Sequence, residues 1–576
     1  MRNKSLIIGS FAVATLLAAC AGAAAADSES PKSVFKYREI FLPESTGDNA
    51  KGYGLNSLDH DWGIWGHNLD KVLPDDFSET VYAKHNGNTI HEQFCFSSER
   101  LYDYIEDYID SKYDDDEQIR FAIMPEDNDI VCLCEDCISL GNTHDDASPA
   151  AMALIKRLAA RFPNHLFFTS YYRTTKGVPT SKLPENIGVL VSAMEYPLSP
   201  VETQKEKDFI DVIRTWKLHA DRILVWDYIN NFDDYFTPFP VFDIMQRRLK
   251  LYEENGVTAV FLNGSGTDYS TFSKLKAEVL AKLTENPEAD WKAHLKDKAA
   301  KYYPVTGNVI TDFLIAQEDF VKNTGKELPL YEGVQNATAT YLPEDKFRDF
   351  YKQLKTLQPQ TSGDEKDEVN RLVSAMALTM LELNRINGNL EGSEELLNDL
   401  SRLVENDAPF YSEASWSVEN YVADYKALLK HYNENGGRNL LRGEKLAALT
   451  PLDPDYNDIS ILTDGLLGIP SNYHNGNMIM SPDEFTKIAI PHKPEMKKLV
   501  VCLSYNPVYR VNLPDEVSLS IGGKTVKTVN PGYPENSSGH VFVEFPISSS
   551  DEGSLVVTLG KNPESHSMAV DEIEAY

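Results

Sequence analysis

The chain has 576 residues, 42% of them hydrophobic and 25% charged, a globular composition that predicts two or three domains. Its net charge of −33 at pH 7 argues against nucleic acid and anionic membrane surfaces as binding partners, because like charges repel. After the N-terminal region, no segment approaches the roughly 20 consecutive apolar residues of a membrane-spanning helix.

The N-terminus is typical of an exported lipoprotein. Two basic residues precede an apolar run over residues 6–19, which is too short to span a membrane. The run ends in Leu-Ala-Ala-Cys20, which resembles the bacterial lipobox, where the signal is cleaved before a cysteine that then carries lipid. We expect a signal peptide over residues 1–20, a tether over 21–33, and an outer-membrane location through the lipid alone. An ordinary signal peptide cut within Ala23–Ala26 is the alternative.

Residues 34–268 alternate short strand-like runs with amphipathic helices, which is typical of βα units. Helices are expected over residues 148–160, where proline follows a capping serine, and over residues 242–254, which end at Asn255-Gly256. Eight such units predict a (β/α)₈ TIM barrel, irregular in its first two units. An open doubly wound sheet is the alternative, although no Gly-x-Gly-x-x-Gly follows a strand. The eight predicted strands are Tyr37–Phe41, Trp62–His67, Glu92–Phe96, Arg120–Met124, Leu166–Tyr172, Ile187–Met194, Ile223–Tyr228 and Thr258–Asn263.

The remainder of the chain predicts two further regions. Apolar residues at helical spacing, among them Val369, Leu372 and Met376, favour a helical region over residues 269–435. After Gly436-Gly437, short alternating runs separated by Pro and Gly predict an antiparallel β-sandwich over residues 436–576.

Four carboxylates near the ends of predicted barrel strands are the candidate catalytic residues. Active residues of such barrels gather where the strands end, and there the sequence has Glu126, Asp127, Glu195 and Asp227. We expect Asp127 or Glu126 to be the general acid/base, since neighbours on a strand face opposite sides and only one should point inward. Asp227 would be the nucleophile or second base, and Glu195 a candidate for either role. A purely structural role is the alternative for each.

Aromatic and polar side chains at the same strand ends suggest a sugar site. Aromatic faces stack on sugar rings, and paired carboxylates can cleave a glycosidic bond. We therefore predict a glycoside hydrolase without an organic cofactor; the alternative is a surface lipoprotein that binds glycans without cleaving them. Arg173 would bind a uronate or sulfate, or pair with a structural carboxylate. The candidate substrate-binding residues are Trp62, Trp65, His67, Tyr172, Arg173, Trp226, Tyr228, Tyr235 and Asn263.

Four cysteines are candidate metal ligands. Cys132, Cys134 and Cys137 form a Cys-x-Cys-x-x-Cys cluster, and Cys95 ends the third predicted strand, so a tetrahedral four-cysteine zinc site is plausible. Disulfides are the alternative, although tight clustering and an odd count after Cys20 do not suit a disulfide framework. The spacing resembles the zinc site of family forty-two β-galactosidases, which implies a structural zinc.

Residues 62–303 resemble the exported bacterial barrel family known as domain of unknown function 4838. The matching features are Trp65-x-His67-Asn68, the Asp-Asn before the cysteine cluster, Val225–Tyr228 leading to Pro238-Phe-Pro240, and Asn255-Gly-Val. That family is grouped with glycoside hydrolase barrels near hexosaminidases and α-glucuronidases, so the resemblance implies a glycan substrate. The α-glucuronidase-like N-terminal domain of many members is expected to be missing here. The hexosaminidase Asp-Glu pair is replaced by Glu126-Asp127, which argues against a substrate-assisted mechanism.

The C-terminal region resembles discoidin-like, galactose-binding-type modules. The matching pieces are Leu462–Gly465 and the closing Val570–Tyr576. The resemblance implies glycan binding and a possible structural calcium. Because all six tryptophans precede residue 437, Tyr473 with His474, or Tyr505 and Tyr509, would have to contact the sugar.

Overall fold

The computed structural model describes residues 35–576 except 406–407, 436–437, 476–477, 482–484, 534–537, 549–552 and 561–566. The predicted signal peptide, Cys20 and the tether to residue 33 lie outside the described residues. The strands are β1 Tyr37–Phe41, β2 Trp62–Ile64, β3 Tyr82–His85, β4 Asn88–Phe94, β5 Arg120–Ala122, β6 Leu166–Tyr171, β7 Ile187–Ser192, β8 Ile223–Tyr228, β9 Ala259–Asn263, β10 Ala447–Ala448, β11 Ile479–Ser481, β12 Phe485–Ile490, β13 Lys498–Tyr505, β14 Glu516–Ile521, β15 Lys524–Val529, β16 Gly539–Pro546, β17 Leu555–Gly560 and β18 Met568–Ala575.

Helices alternate with the strands of the first region and make up most of the middle of the chain. They are α1 Leu58–Asp61, α2 Glu99–Lys112, α3 Glu135–Leu140, α4 Ser148–Arg161, α5 Gln204–Lys217, α6 Phe242–Glu254, α7 Ser273–Glu285, α8 Trp291–Tyr302, α9 Gly307–Thr324, α10 Val334–Thr340, α11 Glu344–Leu357, α12 Gly363–Ile386, α13 Ser393–Glu405 and α14 Val418–Asn435. The predicted helix over 242–254 is confirmed, and Gly256 beyond it has the left-handed φ of 78° that suits glycine. Across the described part of the chain, no helix has the length and apolarity needed to cross a membrane.

The chain divides into two compact units. The first comprises residues up to 229 together with 241–267 and 273–295, and the second comprises residues 230–240, 268–272 and 296–576. Residues 230–240 of the predicted barrel region therefore belong to the second unit, and residues 273–295 of the predicted helical region belong to the first.

The first unit is built on a seven-stranded parallel sheet in the order β1-β9-β8-β7-β6-β5-β2. Side chains from both edge strands and from the central ones share one apolar cluster on the same face, so the sheet is curled around that cluster. The predicted parallel α/β sheet is confirmed. Closure into an eight-stranded barrel is not confirmed, because the described residues contribute seven strands to it.

The third predicted barrel strand was wrong. Residues 88–94 (β4) instead pair antiparallel with residues 82–85 (β3) in a separate hairpin. The turn has positive φ at both central residues, 50° at Asn86 and 81° at Gly87, which is the two-residue geometry that Asn-Gly favours. The Asn86-Gly87 pair was the sequence signal that predicts this hairpin.

The two edge strands of the curled sheet are bonded to side chains and to the intervening loop. At the β1 edge, Arg38 N–H donates to the Asn56 side chain at 3.0 Å, and Asn56 N–H donates to Arg38 O at 2.8 Å. At the β2 edge, Gly63 O accepts from Lys71 Nζ at 2.7 Å and from Tyr108 Oη at 3.2 Å. The segment before β2 thus occupies the place where ladder bonds would close a barrel.

The second unit combines the later helices with two antiparallel sheets. Their strand orders are β10-β12-β17-β14-β15 and β11-β18-β13-β16. Apolar residues alternating along both sheets, such as Val517 and Val557 from one and Val501 and Phe545 from the other, form a single core. The predicted antiparallel sheets are confirmed.

Candidate active site at the carboxyl end of the parallel sheet

Strand β8 shows which of its side chains face the interior of the curled sheet. Trp226 packs with the interior cluster, so Asp227 points to the opposite face by the alternation of strand side chains. There Asp227 forms an ion pair with Arg248 and accepts from Tyr252 Oη at 2.6 Å, and all of this is fully buried. Arg248 also donates to the carbonyls of Tyr196 and Pro197. Asp227 thus anchors α6 to the sheet, and its assignment as nucleophile or second base stays a prediction.

Large aromatic side chains fill the interior towards the strand ends. Trp65 stacks on Trp226 with ring centroids 4.8 Å apart, and it contacts Trp62 edge-on at 4.5 Å and Phe261 at 4.6 Å. Trp62 is buried, whereas Trp65 and Trp226 are partly exposed. Trp226 Nε1 has no hydrogen-bond partner among the described residues. Of the predicted substrate-binding aromatic residues, these two indoles and Tyr172 are partly exposed, whereas Trp62, Tyr228 and Tyr235 are buried.

The turn after β5 carries a partly buried carboxyl group, that of Glu126. Burial, together with the nearby Asp70 and Asp127 carboxylates, raises the pKa of Glu126 to about 7. Its Oε1 has no hydrogen-bond partner within the described residues. His67 Nδ1 donates to Pro125 O, and burial lowers the pKa of this histidine, so a neutral imidazole holds the turn. Of the Glu126-Asp127 pair, Glu126 has the properties of a general acid.

Asp127 and Arg173 form an ion pair beside Glu126. Arg173 Nε lies 2.6 Å from Asp127 Oδ1, and Nη1 lies 3.1 Å from Asp129 Oδ1. Arg173 also donates to Tyr172 Oη at 3.1 Å and has a φ of 44°, a conformation that is costly for a residue with a side chain. The sequence-predicted residues His67, Asp127, Tyr172 and Arg173 are thus brought together at the neighbouring ends of β2, β5 and β6.

Other predicted site residues lie apart from this group. Glu195 is exposed and pairs with Lys176 Nζ at 2.9 Å. Tyr228 lies on the interior face of β8, with its hydroxyl 3.4 Å from Ser192 Oγ, and Asn263 ends β9, where its carbonyl accepts from Ile229 N–H. Tyr235 is buried and belongs to the second unit, where its backbone bonds to Tyr411 and Thr271.

Sequence reasoning missed one buried acid, Glu39. It shares the interior face of β1 with Tyr37 and Phe41, an alternation that was readable from the sequence. Glu39 accepts from Tyr37 Oη and from Leu58 N–H, and burial raises its pKa to about 8. Because Trp62 Nε1 donates to the same Tyr37 hydroxyl at 2.9 Å, the group links β1 to β2.

A shallow pocket lies at the other end of the sheet, where the strands begin. Lys36, Arg120, Asp221 and Arg222 contribute to its lining. The pocket lies at the amino ends of the strands, opposite the carboxyl ends, and none of the candidate catalytic residues lines it.

The four predicted metal ligands are adjacent in the structure. Sulfur atoms of Cys95, Cys132, Cys134 and Cys137 all lie within 4.8 Å of one another. Among the described residues all five cysteines, including Cys502 of the second unit, are free thiols. No two of these five cysteines form a disulfide bond in this structure, so the disulfide alternative has no support from it.

The second unit contains the residues expected to bind sugar or calcium. Trp416 contacts Tyr473, His474 and Tyr509 with centroid distances of 5.8, 5.1 and 5.9 Å, so a tryptophan from the helical region joins the tyrosines of the tail. His474 Nδ1 lies 2.6 Å from Asp233 Oδ2, and Tyr505 packs against Tyr533.

Near the chain end, Glu572 is buried and accepts hydrogen bonds from Gly465 N–H at 3.2 Å and from Asn439 Nδ2 at 3.1 Å. Asp571 accepts from Ser504 Oγ and from Gly468 N–H, both at 3.0 Å. These carboxylates are thus held by protein donors, and calcium stays a prediction.

Comparisons with known proteins gave distant likenesses. No curated protein matches the chain. A solved structure described as a GH138 enzyme targeting pectin rhamnogalacturonan II is 9% identical with a TM-score of 0.27, covering 88% of this chain and 80% of its own. The lectin domain of lectinolysin, solved with Lewis B antigen, is 12% identical with a TM-score of 0.19, covering 24% and 96%.

A structure described as a putative α-L-fucosidase from Bacteroides thetaiotaomicron is 11% identical with a TM-score of 0.16, covering 73% of this chain and 86% of its own. Likeness at these TM-scores carries no argument about this chain. The family model described as "Domain of unknown function (DUF4838)" matches residues 44–314, a little under half of the chain, and this agrees with the resemblance seen in the sequence.

Proposed function

We propose that the protein is a glycoside hydrolase whose general acid is Glu126. The observation that carries the proposal is the carboxyl group of Glu126, whose pKa is raised to about 7 mainly by burial. A carboxylic acid that keeps its proton near neutral pH can protonate the oxygen of a departing sugar. The group sits at the carboxyl end of a parallel α/β sheet, where such folds place their chemistry.

The neighbouring side chains have complementary roles in this proposal. The partly exposed faces of Trp65 and Trp226 would stack on a sugar ring. Asp127 is the second carboxylate, and Arg173, its ion-pair partner, would bind an acidic group on the glycan. Asp227 and Glu195 have no part in it.

A screen of the protein lacking residues 1–26 against host and plant glycans tests the proposal. We expect Glu126→Gln to lower turnover roughly 100-fold or more while binding is retained, because general acid catalysis typically contributes about that much. Glu99→Gln, which removes an exposed ion pair with Arg157, is the matched control and should turn over normally.

In the wild type, the rate should fall as pH rises through about 7, because Glu126 then loses its proton. A Glu126→Gln variant with wild-type turnover and the same pH profile would contradict the assignment.

The second candidate function is glycan capture without cleavage. The observation in its favour is that three of the four predicted catalytic carboxylates, Asp127, Asp227 and Glu195, are already paired with basic side chains. It predicts that glycans bind to both the wild type and Glu126→Gln, with no product from either.

We also propose the finer structural features that the sequence suggests. The first unit is a (β/α) barrel in which a hairpin replaces one strand, and the C-terminal sheets form a discoidin-like module that binds glycan near Tyr473 and Tyr509. If that module holds calcium, adding calcium to chelator-treated protein should raise its thermal midpoint. Export and lipid attachment at Cys20 rest on the lipobox-like sequence, and Cys20→Ala should then abolish the lipid-modified mass of the mature protein.

A further inference from the structure

Two separate segments of the first unit bring four thiols to one place. Cys95 follows strand β4 of the hairpin, and its backbone N–H donates to Val81 O at 2.8 Å. Cys132, Cys134 and Cys137 come from the loop after β5 and from the start of α3, where Cys134 is the N-cap. Cys95, Cys132 and Cys137 are buried, and Cys134 is partly exposed.

The spacing of the sulfur atoms suits a tetrahedral metal ion. Cys95 Sγ lies 3.7 Å from Cys134 Sγ and 3.8 Å from Cys137 Sγ. Four thiolates at the usual zinc–sulfur distance of about 2.3 Å stand roughly 3.8 Å from one another at the corners of a tetrahedron. A disulfide would need the sulfurs at about 2.05 Å, so the cluster has the geometry of ligands rather than of bridges.

Hydrogen-bond donors point at the sulfur atoms, which is a second and independent observation. Lys84 N–H donates to Cys132 Sγ at 3.3 Å, and Cys137 N–H donates to Cys134 Sγ at 3.4 Å. The hydroxyl of Ser97 lies 3.1 to 3.4 Å from the sulfurs of Cys95, Cys134 and Cys137. Donors of this kind stabilise negative charge on sulfur and fix the orientation of metal-bound thiolates.

We propose that these four cysteines bind one structural zinc ion that fixes the β3–β4 hairpin to the turn carrying Glu126. Four protein ligands leave no open coordination position, so the ion would have no direct part in a reaction. It would close the chain into a loop from Cys95 to Cys137 that contains strand β5 and the turn.

The hairpin holds that turn through side-chain and backbone bonds. Gln93 accepts from Glu126 N–H at 3.1 Å and donates to Asn128 Oδ1 at 3.1 Å, and Asn128 Nδ2 donates to Glu92 O at 2.7 Å. On the other side of the cluster, Leu133 N–H donates to Lys84 O at 2.6 Å. A metal ion at the cysteines would therefore hold the backbone of Glu126 in its position relative to the hairpin. This role does not depend on whether the protein cleaves a glycan.

Elemental analysis and thiol counting of the purified wild-type protein test the binding directly. We expect about one zinc ion per chain and, besides Cys20, five reactive thiols after denaturation, from Cys95, Cys132, Cys134, Cys137 and Cys502. Exchange for Co²⁺ should give intense thiolate-to-cobalt charge-transfer absorption and the visible bands of tetrahedral cobalt. Zinc well below one per chain after incubation with Zn²⁺, or two disulfides among the four cysteines, would overturn the proposal.

Variants and hydrogen exchange test the positioning role. Cys132→Ser should lose the metal, whereas Cys502→Ser, which removes a buried thiol in the second unit, should keep it. Because a cysteine variant can misfold, the wild type is also stripped with a chelator and measured by hydrogen exchange. Amides of residues 82–97 and 124–142 should then exchange faster, while those of strand β13 stay unchanged. Equal exchange with and without metal, or equal metal loss in Cys502→Ser, would refute the proposal.

Discussion

Two carboxyl groups in the first unit, the buried Glu39 and the partly buried Glu126, have pKa values raised for the same main reason, the loss of water around them. Glu126 reaches about 7 and Glu39 about 8, yet their surroundings differ. Glu39 is bonded at both oxygens, to Tyr37 Oη and Leu58 N–H, whereas Glu126 Oε1 lacks a partner among the described residues. A buried carboxyl group whose two oxygens are both hydrogen-bonded suits a structural role. A carboxyl group at a strand end with an oxygen that lacks a hydrogen bond suits a catalytic role.

The raised pKa of Glu39 makes stability depend on pH. A carboxyl group whose pKa is higher in the folded than in the unfolded state favours folding when protonated, so its contribution declines as pH rises from about 4.3 towards 8. The free energy of unfolding should fall by at most roughly 1.4 kcal/mol per pH unit across that range. Glu39→Gln should flatten this slope and be the more stable protein at pH 9. Urea unfolding between pH 5 and 9 measures it, and parallel slopes for both proteins would contradict it.

At the scale of single residues, the sequence indicated which residue types stand at the strand ends better than it indicated the face of the sheet to which each side chain points. His67, Asp127, Tyr172 and Arg173 were each placed at a strand end from the sequence, and the structure brings them together; their roles stay predictions. Asp227 was assigned to the site although alternation within Trp226-Asp227-Tyr228 allows either face, and only the packing of Trp226 inside the sheet decides it. Arg248, the partner of Asp227, lies on α6, and no local pattern reveals such a distant pairing.

Helix α6 is fixed to the sheet by this buried ion pair. Arg248 and Asp227 are both fully buried, and Arg248 Nη2 donates to the carbonyls of Tyr196 and Pro197. The pair therefore joins β8, the segment after β7 and α6 at one point.

Arg248→Met should destabilise the protein by about 3–5 kcal/mol, because Asp227 would be left as an unpaired buried charge. Adding Asp227→Asn to that variant should recover part of the loss, since no buried charge remains. Arg214→Met, which removes an exposed pair with Asp211, is the control and should change stability by less than about 1 kcal/mol. Chemical unfolding of the four proteins measures the effect, and similar losses for Arg248→Met and Arg214→Met would contradict it.

Elements were predictable where local patterns agreed with packing. Seven of the eight predicted strands join the parallel sheet, and the ends of α4 and α6 were given by proline and glycine signals. The β3–β4 hairpin was missed because its second strand has the composition of a barrel strand. The Asn86-Gly87 turn, which fixes antiparallel pairing, outweighs that composition.

On the scale of the whole molecule, the main long-range interaction is the electrostatic repulsion that comes with a net charge of −33. Self-repulsion of this size opposes the compact state, and salt screens it over a Debye length that falls from about 10 Å at 0.1 M to about 3 Å at 1 M. We expect the thermal midpoint to rise with NaCl and to level off by about 0.5 M. Scanning calorimetry over that range measures it, and a midpoint independent of salt would contradict the prediction.

The division into two units was beyond sequence reasoning. Residues 230–240 follow strand β8 directly but belong to the second unit, where Phe232 N–H donates to Leu330 O and Gln317 donates to Pro238 O. These two contacts join residues 98 and 79 positions apart, and composition carries no signal of them.

The occupied edges of the parallel sheet have a consequence for the behaviour of the protein in concentrated solution. An incomplete barrel presents two strand edges, and bare edges recruit strands from other molecules into fibrils. Here Asn56 takes the free donor and acceptor of Arg38, and Lys71 with Tyr108 takes the carbonyl of Gly63. A foreign strand would have to displace these groups and bury the Lys71 charge, so the gap in the sheet is sealed against aggregation without an eighth strand.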